Sequence, residues 1–193
     1  MDSFRNFQEI YTTKFFKLER SESLENTQDP YYRFTGNDSV ISLVLNQKDE
    51  FVMVRQFRPA LQNYTIEMPA GSIENKEIPL KAIAREIKEE VGFSCDLIQL
   101  GQFFHLMMNR TNEKTFLFFG MNTVPVENFI EEEGVDVVYV PRKKFFKLAL
   151  KGEYVQLAGI TIIKLVETVL KVNIENDSYK TIHKKFLQKI KIT

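Results

Sequence analysis

From Ser39 onward the chain alternates short apolar runs with polar punctuation. SVISLVLNQ and FVMVRQF are β-branched and apolar almost throughout, which predicts two adjacent buried strands joined by a polar turn at Lys48-Asp49-Glu50. A strand-like run from Tyr64 to Met68 leads into Pro69-Ala70-Gly71. The spacing then changes. Leu80, Ile83, Ala84, Ile87 and Val91 recur at three- and four-residue intervals, which predicts a helix from Pro79 to Val91 with one apolar face. Proline costs nothing in a first helical turn, and Gly92 stands where a left-handed cap is cheapest. Two further strands are predicted at Leu97 to Met108 and Lys114 to Met121, then an acidic loop and a strand at Val135 to Val140. Helical patterns follow at Arg142 to Leu150 and Gln156 to Val172. Upstream, the loop-like stretch SESLENTQDP separates the extended runs YTTKFFKLER and YYRF, which predicts a small N-terminal hairpin or arm. Strands interspersed with helices make this an α/β chain. It divides into an arm over 1–38, a main domain over 39–175 and a basic tail over 176–193, the last read as a solvated end.

Composition narrows the function. The 193 residues carry 26 basic and 26 acidic side chains, so no net field favours a polyanion and no nucleic-acid partner is expected. One cysteine, Cys95, excludes an intrachain disulfide, and with only His105 and His183 beside it a Cys/His zinc site is excluded too. The longest apolar stretch, Ile160 to Val172, is interrupted by Lys164 and Glu167, and MDSFRNFQEIYTTKFF lacks the pattern of a secretion signal. A soluble cytoplasmic protein with no membrane contact is expected.

The chemistry gathers on the predicted helix. At about 100° per residue from Leu80, Glu86 lies near 240°, Glu90 near 280° and Glu89 near 180°, so Glu86 and Glu90 share a face bordering the apolar stripe. Acids at i,i+3 and i,i+4 repel, and nothing structural repays the cost. A hard divalent cation would reverse the sign, because carboxylate oxygens are its preferred ligands. Arg85, next in sequence, could pin one of these carboxylates by a charge-assisted bond.

Reading on from Gly71, five residues lead to Glu77, seven more to Arg85, then come Glu86, Ile87, any residue, Glu89, Glu90, any residue, Gly92 and Phe93. This pattern resembles a complete Nudix box. The resemblance implies an α/β/α sandwich with a mixed sheet and Mg²⁺-dependent hydrolysis of a nucleoside diphosphate linked to another group, with Mn²⁺ as a possible substitute. It implies Glu86, Glu90 and the Ala70 carbonyl as metal ligands, Glu89 assisting the metal or its waters, and Arg85 orienting the glutamates. Gly71 and Gly92 are read as the residues that let the chain turn at either end of the helix.

Outside the box, VRQFRPALQNYTIEMPAG resembles the ADP-ribose pyrophosphatase and nucleotide-sugar hydrolase branch. That resemblance places Arg55 and Arg58 as candidates for a phosphate clamp and Glu67 in the lead-in. In this branch the base comes from a loop before the last strand. Here that loop is NFIEEEG, in which spacing favours Glu133, with Glu131 and Glu132 near equivalents. FFHLMMNRTNEKTFLFF has neither proline nor glycine where ADP-ribose pyrophosphatases carry a Ser-Pro-Gly-like turn, which favours a nucleotide sugar such as GDP-mannose over ADP-ribose. Arg110 and Glu113 in this turn are candidates to contact base, ribose or metal. Relatives in the branch pair through N-terminal strands and stack an aromatic on the base, which implies a homodimer and points to Tyr31, Tyr32 and Phe34. The competing readings are ADP-ribose hydrolysis to AMP and ribose 5-phosphate, and a Nudix fold used only to bind a ligand.

Overall fold

The computed structural model describes residues 4–23 and 29–191. The elements are β1 (Gln8–Thr12), β2 (Lys17–Ser21), β3 (Tyr31–Thr35), β4 (Ser39–Leu45), β5 (Glu50–Arg58), β6 (Asn63–Glu67), β7 (Ala70–Ser72), α1 (Pro79–Val91), β8 (Phe93–Gln99), β9 (Thr115–Pro125), β10 (Val135–Pro141), α2 (Phe145–Leu150), α3 (Leu157–Leu170) and α4 (Tyr179–Ile190). Seven strands form one sheet in the order β10-β5-β4-β9-β8, with β6 added to β5 and β7 to β4. Only β4 and β9 run parallel among these pairs, so the sheet is mixed.

Period-two alternation assigns the two faces. Val40 and Val44 of β4, Val52 and Val54 of β5 and Phe118 of β9 point to α1, where they meet Ala82, Ile83, Ile87 and Val91. Their neighbours Ile41, Leu43, Leu45, Phe51, Met53, Leu117, Phe119 and Met121 point the other way, onto Ile162, Ile163, Val166 and Leu170 of α3. A sheet apolar on both faces needs a helical layer on each, and the α/β/α sandwich follows. The β4–β5 turn is closed by Asn46, whose Oδ1 accepts from the backbone N–H groups of Lys48 (2.9 Å) and Glu50 (3.0 Å).

The expected N-terminal β arm is present, as a three-stranded antiparallel sheet, β1-β2-β3, because YTTKFFKLER is broken in the middle, and two other expectations need correction. Thr13 Oγ1 accepts from the N–H groups of Phe15 (3.1 Å) and Phe16 (3.0 Å), a turn made without glycine, proline, asparagine or aspartate. The strand expected over Leu97–Met108 starts at Phe93, directly after the helix cap, and ends at Gln99. Residues 100–114 leave the ladder, tied to β9 by the Leu100 N–H, which donates to the Leu117 carbonyl (2.8 Å), and by the bridge of Phe104 to Thr115, and they expose Leu106, Met107 and Met108. The C-terminal segment is not a solvated end: α4 buries Ile182 and Phe186, the latter edge-on to Phe119 at 5.6 Å. Arg142, 1% exposed, locks this region by bonding both carboxylate oxygens of Asp49 (2.6 and 2.9 Å) and the carbonyls of Ile174 and Asp177. No helix among the described residues is long and apolar enough to cross a membrane.

Candidate active site

The site is built where α1 crosses β7, and it begins with a break in the helix's apolar pattern. Leu80 is 47% exposed, whereas Ala82 is fully buried. On the wheel the buried arc therefore runs from Ala82, at about 200°, through Ile83 and Ile87 to Val91, at about 20°. Glu86 and Glu90 lie inside that arc. They do not border the sheet-facing stripe, as the spacing alone predicts; they interrupt it.

Room for the first carboxylate comes from Gly71. Its backbone is paired to Val40 in the β7–β4 ladder, and a Cβ at this position would lie 1.9 Å from Glu86 Oε1 and 2.0 Å from its Cδ. Gly71 is therefore required for its missing side chain, not for a turn. Gly92 does turn: at φ 69° it caps α1, its N–H donating to the carbonyls of Ile87 and Lys88.

Glu86 is fixed from the other side by Arg85. The guanidinium donates to Glu86 Oε1 (2.8 Å), Glu89 Oε2 (3.1 Å), both oxygens of Glu77 (3.2 and 3.0 Å) and the carbonyl of Ser72 (3.1 Å). All its neighbours are acceptors, led by Glu77, and they hold Arg85 well above its ordinary value. Glu77 is held below the usual carboxylate range by the same bonds. The box spacing contains Glu77, but its task as the principal anchor of Arg85 is visible only in three dimensions.

The second carboxylate is more isolated. Glu90 Oε2 accepts from the Ala70 N–H (2.9 Å), and burial, with the charges of Glu86 and Glu132 nearby, pushes its carboxyl up to about 8. Burial also raises Glu86, against the pull of Arg85. Two adjacent half-buried carboxylates without full compensation form a site that gains from a positive charge.

Arg58 supplies positive charge close by, since it acts on Glu90 and helps to offset that rise. Its Nε and Nη2 grip Glu67 Oε1 (2.7 Å) and Oε2 (2.6 Å), and Thr65 donates to Glu67 Oε1 (2.5 Å). Burial pushes Glu67 up, yet the bonds from Arg58 and Thr65 prevail and its carboxyl ends below the ordinary value. Arg55 is placed elsewhere, bonded to Asp136 (3.2 Å) with its guanidinium 4.1 Å from the Tyr64 ring centre. Beneath the lead-in, Gln156 Oε1 accepts from both the Met68 N–H (3.1 Å) and the Tyr154 hydroxyl (3.1 Å), a support the sequence pattern did not signal.

The remaining candidates fall into two groups. Tyr32, Phe34 and Arg110 line a cavity of about 370 Å³ on the small sheet, completed by Leu18, Pro30 and Tyr31. The Phe34 N–H donates to the Arg110 carbonyl (2.7 Å), which ties that sheet to the 100–114 loop. Glu113 lies beside it, with its carboxylate against Gly36 and its carbonyl bonded to His105 Nδ1 (2.8 Å). In the acidic loop Glu131, Glu132 and Glu133 are all exposed; the charge of Glu132 reaches Glu90 and that of Glu131 reaches Tyr139.

Residues 36–157 match the model of the NUDIX domain. The chain belongs to the Nudix family. Among curated relatives, the methanol dehydrogenase activator of Bacillus methanolicus is 24% identical over 166 residues, covering 78% of this chain and 90% of the relative. The ADP-ribose pyrophosphatase of Bacillus subtilis is 27% identical over 118 residues, covering 60% of this chain and 64% of the relative. The GDP-mannose pyrophosphatase of an Enterobacter species is 26% identical over 162 residues, covering 72% and 82%. A solved ADP compounds hydrolase superposes with a TM-score of 0.72 at 20% identity, over 87% of this chain and 93% of the other, which establishes the fold. The family is one of pyrophosphohydrolases, and every box position of this chain is filled.

Nudix hydrolases generally use a divalent metal, and the box residues fit one. Glu86 and Glu90 converge beside the Ala70-Gly71 backbone, and both are raised by burial. The donors are hard oxygens, as Mg²⁺ or Mn²⁺ requires. Among the described residues no three Asp, Glu, His or Cys side chains are already gathered as a ligand shell. Mg²⁺ is commonly held by one or two carboxylates together with substrate phosphate and water, so this donor set suits it.

Proposed function

We propose that the chain hydrolyses the diphosphate bond of a nucleoside-diphosphate sugar of the GDP-mannose kind, giving a nucleoside monophosphate and a sugar phosphate. The observation that carries this reading is the interrupted face of α1: two carboxylates in the buried arc, one seated against Gly71 and the other on the Ala70 N–H. In this reading Glu86 and Glu90, with the Ala70 carbonyl, hold Mg²⁺, which when bound neutralises diphosphate charge and makes a bound water more acidic. Arg85 holds Glu86 and Glu89 in place, and Glu89 assists at the rim of the site. Arg58, braced by Glu67, binds a phosphate oxygen. Water oxygen bonds to one phosphorus as the bond from that phosphorus to the bridging oxygen breaks, and the departing phosphate keeps the electron pair. A carboxylate of the acidic loop takes the water proton. We assign that task to Glu132 in place of Glu133, because it is the charge of Glu132 that reaches Glu90.

Tyr32, Phe34, Arg110 and Glu113 are proposed to receive the base and ribose, in a homodimer that brings the small sheet of one protomer to the site of its partner. Arg55, tied to Asp136 and Tyr64, shapes the rim. A cytoplasmic setting accords with the single unpaired Cys95. ADP-ribose is the second substrate reading, supported by the Bacillus subtilis relative. A panel of GDP-mannose, ADP-ribose and other nucleotide sugars, assayed for phosphate release with a coupled phosphatase with and without Mg²⁺, tests both. Preferential Mg²⁺-dependent turnover of GDP-mannose is expected. Preference for ADP-ribose would replace the first reading with the second, and binding without turnover of any member would show a ligand-binding module.

A further inference from the structure

Gly92 does more than cap α1. A Cβ on it would lie 2.4 Å from Cγ and Cδ1 of Phe129 and 2.9 Å from Cδ2, so the half-buried Phe129 ring occupies the space this residue leaves. The Val126 N–H donates to the Gly92 carbonyl (2.8 Å), a second tie between the same segments. The acidic loop is thus fastened to the C-terminal end of α1, one turn from Glu89 and Glu90. At its other end the Val135 N–H donates to the Glu132 carbonyl (3.0 Å), and β10 begins at once, Val135 pairing with Gln56 of β5. Between these anchors lie only residues 130–134. Ile130 is 86% exposed and Gly134, at φ 84°, has open space around its Cα, so neither packs the loop down. Phe129 is the apolar side chain of the loop with a seat on the body.

We propose that Phe129 is a positioning residue: its ring, seated on Gly92, fixes the path of the acidic loop between the C-terminal end of α1 and β10 and so sets where the Glu132 carboxylate stands. The idea rests on the reading that Glu132 takes the water proton, and it assigns to Gly92 a docking role beyond the turn. Burial alone gives Phe129 a modest share of stability, because the ring is only partly covered. Its effect on turnover is larger, since misplacing a reacting group by about 1 Å costs on the order of 100-fold.

The test uses the full chain with Mg²⁺ and the best nucleotide sugar of the panel. Phe129→Ala should lower kcat by roughly 10- to 100-fold, at nearly unchanged KM and Mg²⁺ half-saturation, and Phe129→Leu should recover most of the loss. In a Glu132→Gln background, Phe129→Ala should cost no more than about twofold, because the group it positions is already gone. Amide exchange should accelerate at Val126 and Val135, the hydrogen-bonded amides on either side of the loop, in Phe129→Ala while the amides of α1 keep their protection. Unchanged kcat in Phe129→Ala, or the same loss in both backgrounds, would overturn the proposal. If Glu132→Gln alone keeps wild-type turnover, the assignment of the base fails, and the catalytic part of the proposal with it. Exchange then judges the anchor by itself, and unaltered protection at Val126 and Val135 would refute it.

Discussion

Replacing Gly71 by alanine puts a methyl group where Glu86 keeps its carboxylate. The added carbon would sit 2.0 Å from Glu86 Cδ and 1.9 Å from Oε1. Carbon atoms pack at about 3.5–4.0 Å, so the carboxyl group must retreat by about 1.5 Å. The backbone of residue 71 cannot yield instead, because it is laddered to Val40, which is fully buried. Arg85 resists rotation of the carboxylate, being held in turn by Glu77 and the Ser72 carbonyl. A shift of this size in a group that organises the reacting centre predicts a fall in kcat of about 100-fold or more, or roughly 2.7 kcal/mol of transition-state stabilisation. The fold should tolerate the change at a cost of about 1–3 kcal/mol, the usual range for overpacking. Phosphate release measured across an Mg²⁺ titration, alongside thermal unfolding, separates the two effects. In a Glu86→Gln background the alanine should add little further loss, since both act on one carboxylate. A Gly71→Ala protein with kcat within threefold of wild type and the same Mg²⁺ half-saturation would refute the steric reading of this glycine.

Other consequences can be measured separately. Mg²⁺ at about 100 times its Kd should stabilise the protein by about 2.7 kcal/mol, or roughly 5–10 °C in Tm for a chain of this size, and Glu90→Gln should abolish the shift. The sign with pH follows from Glu90, raised from 4.5 to about 8. The folded state binds this proton more tightly than the unfolded chain, so the cost of ionising it grows between those two values and is complete above them. The Mg²⁺ gain should therefore be larger above about pH 8 than near pH 6, and cation-free Glu90→Gln should be at least as stable as wild type at the higher pH. Arg58→Ala should raise KM for the nucleotide sugar by about tenfold, with Mg²⁺ half-saturation little changed; an unaltered KM would remove Arg58 from substrate binding. Arg142→Leu should destabilise by about 3–5 kcal/mol in urea unfolding, because it strands Asp49 and two carbonyls that a buried guanidinium now satisfies. Ending the chain before Ser178 should uncover Phe119 and remove two buried side chains worth about 1.5–3 kcal/mol each, and an unchanged Tm would show that α4 is dispensable.

Much of this architecture can be read directly from the chain because local and global requirements agree there. Val40, Ile41, Leu43 and Val44 alternate between two helical layers, so an apolar run is what β4 must be. The extent of α1 is equally plain, with Pro79 at one end and Gly92 at the other. The failures have local causes. Thr13 makes a turn with its hydroxyl, in a run that otherwise reads as strand. In α4 the lysines of YKTIHKKFLQKI draw attention from Ile182 and Phe186, although these two are one helical turn apart and both are buried. Leu80 is the more telling case. Taking it as the centre of the apolar face is the natural choice for an amphipathic helix, yet it is 47% exposed, and the true centre holds two glutamates. A helix that turns carboxylates towards its own sheet violates the pattern that folds the rest of the domain. The violation persists because Gly71 makes room for one acid and the Ala70 N–H receives the other, so these two backbone positions belong to the site as much as the glutamates do.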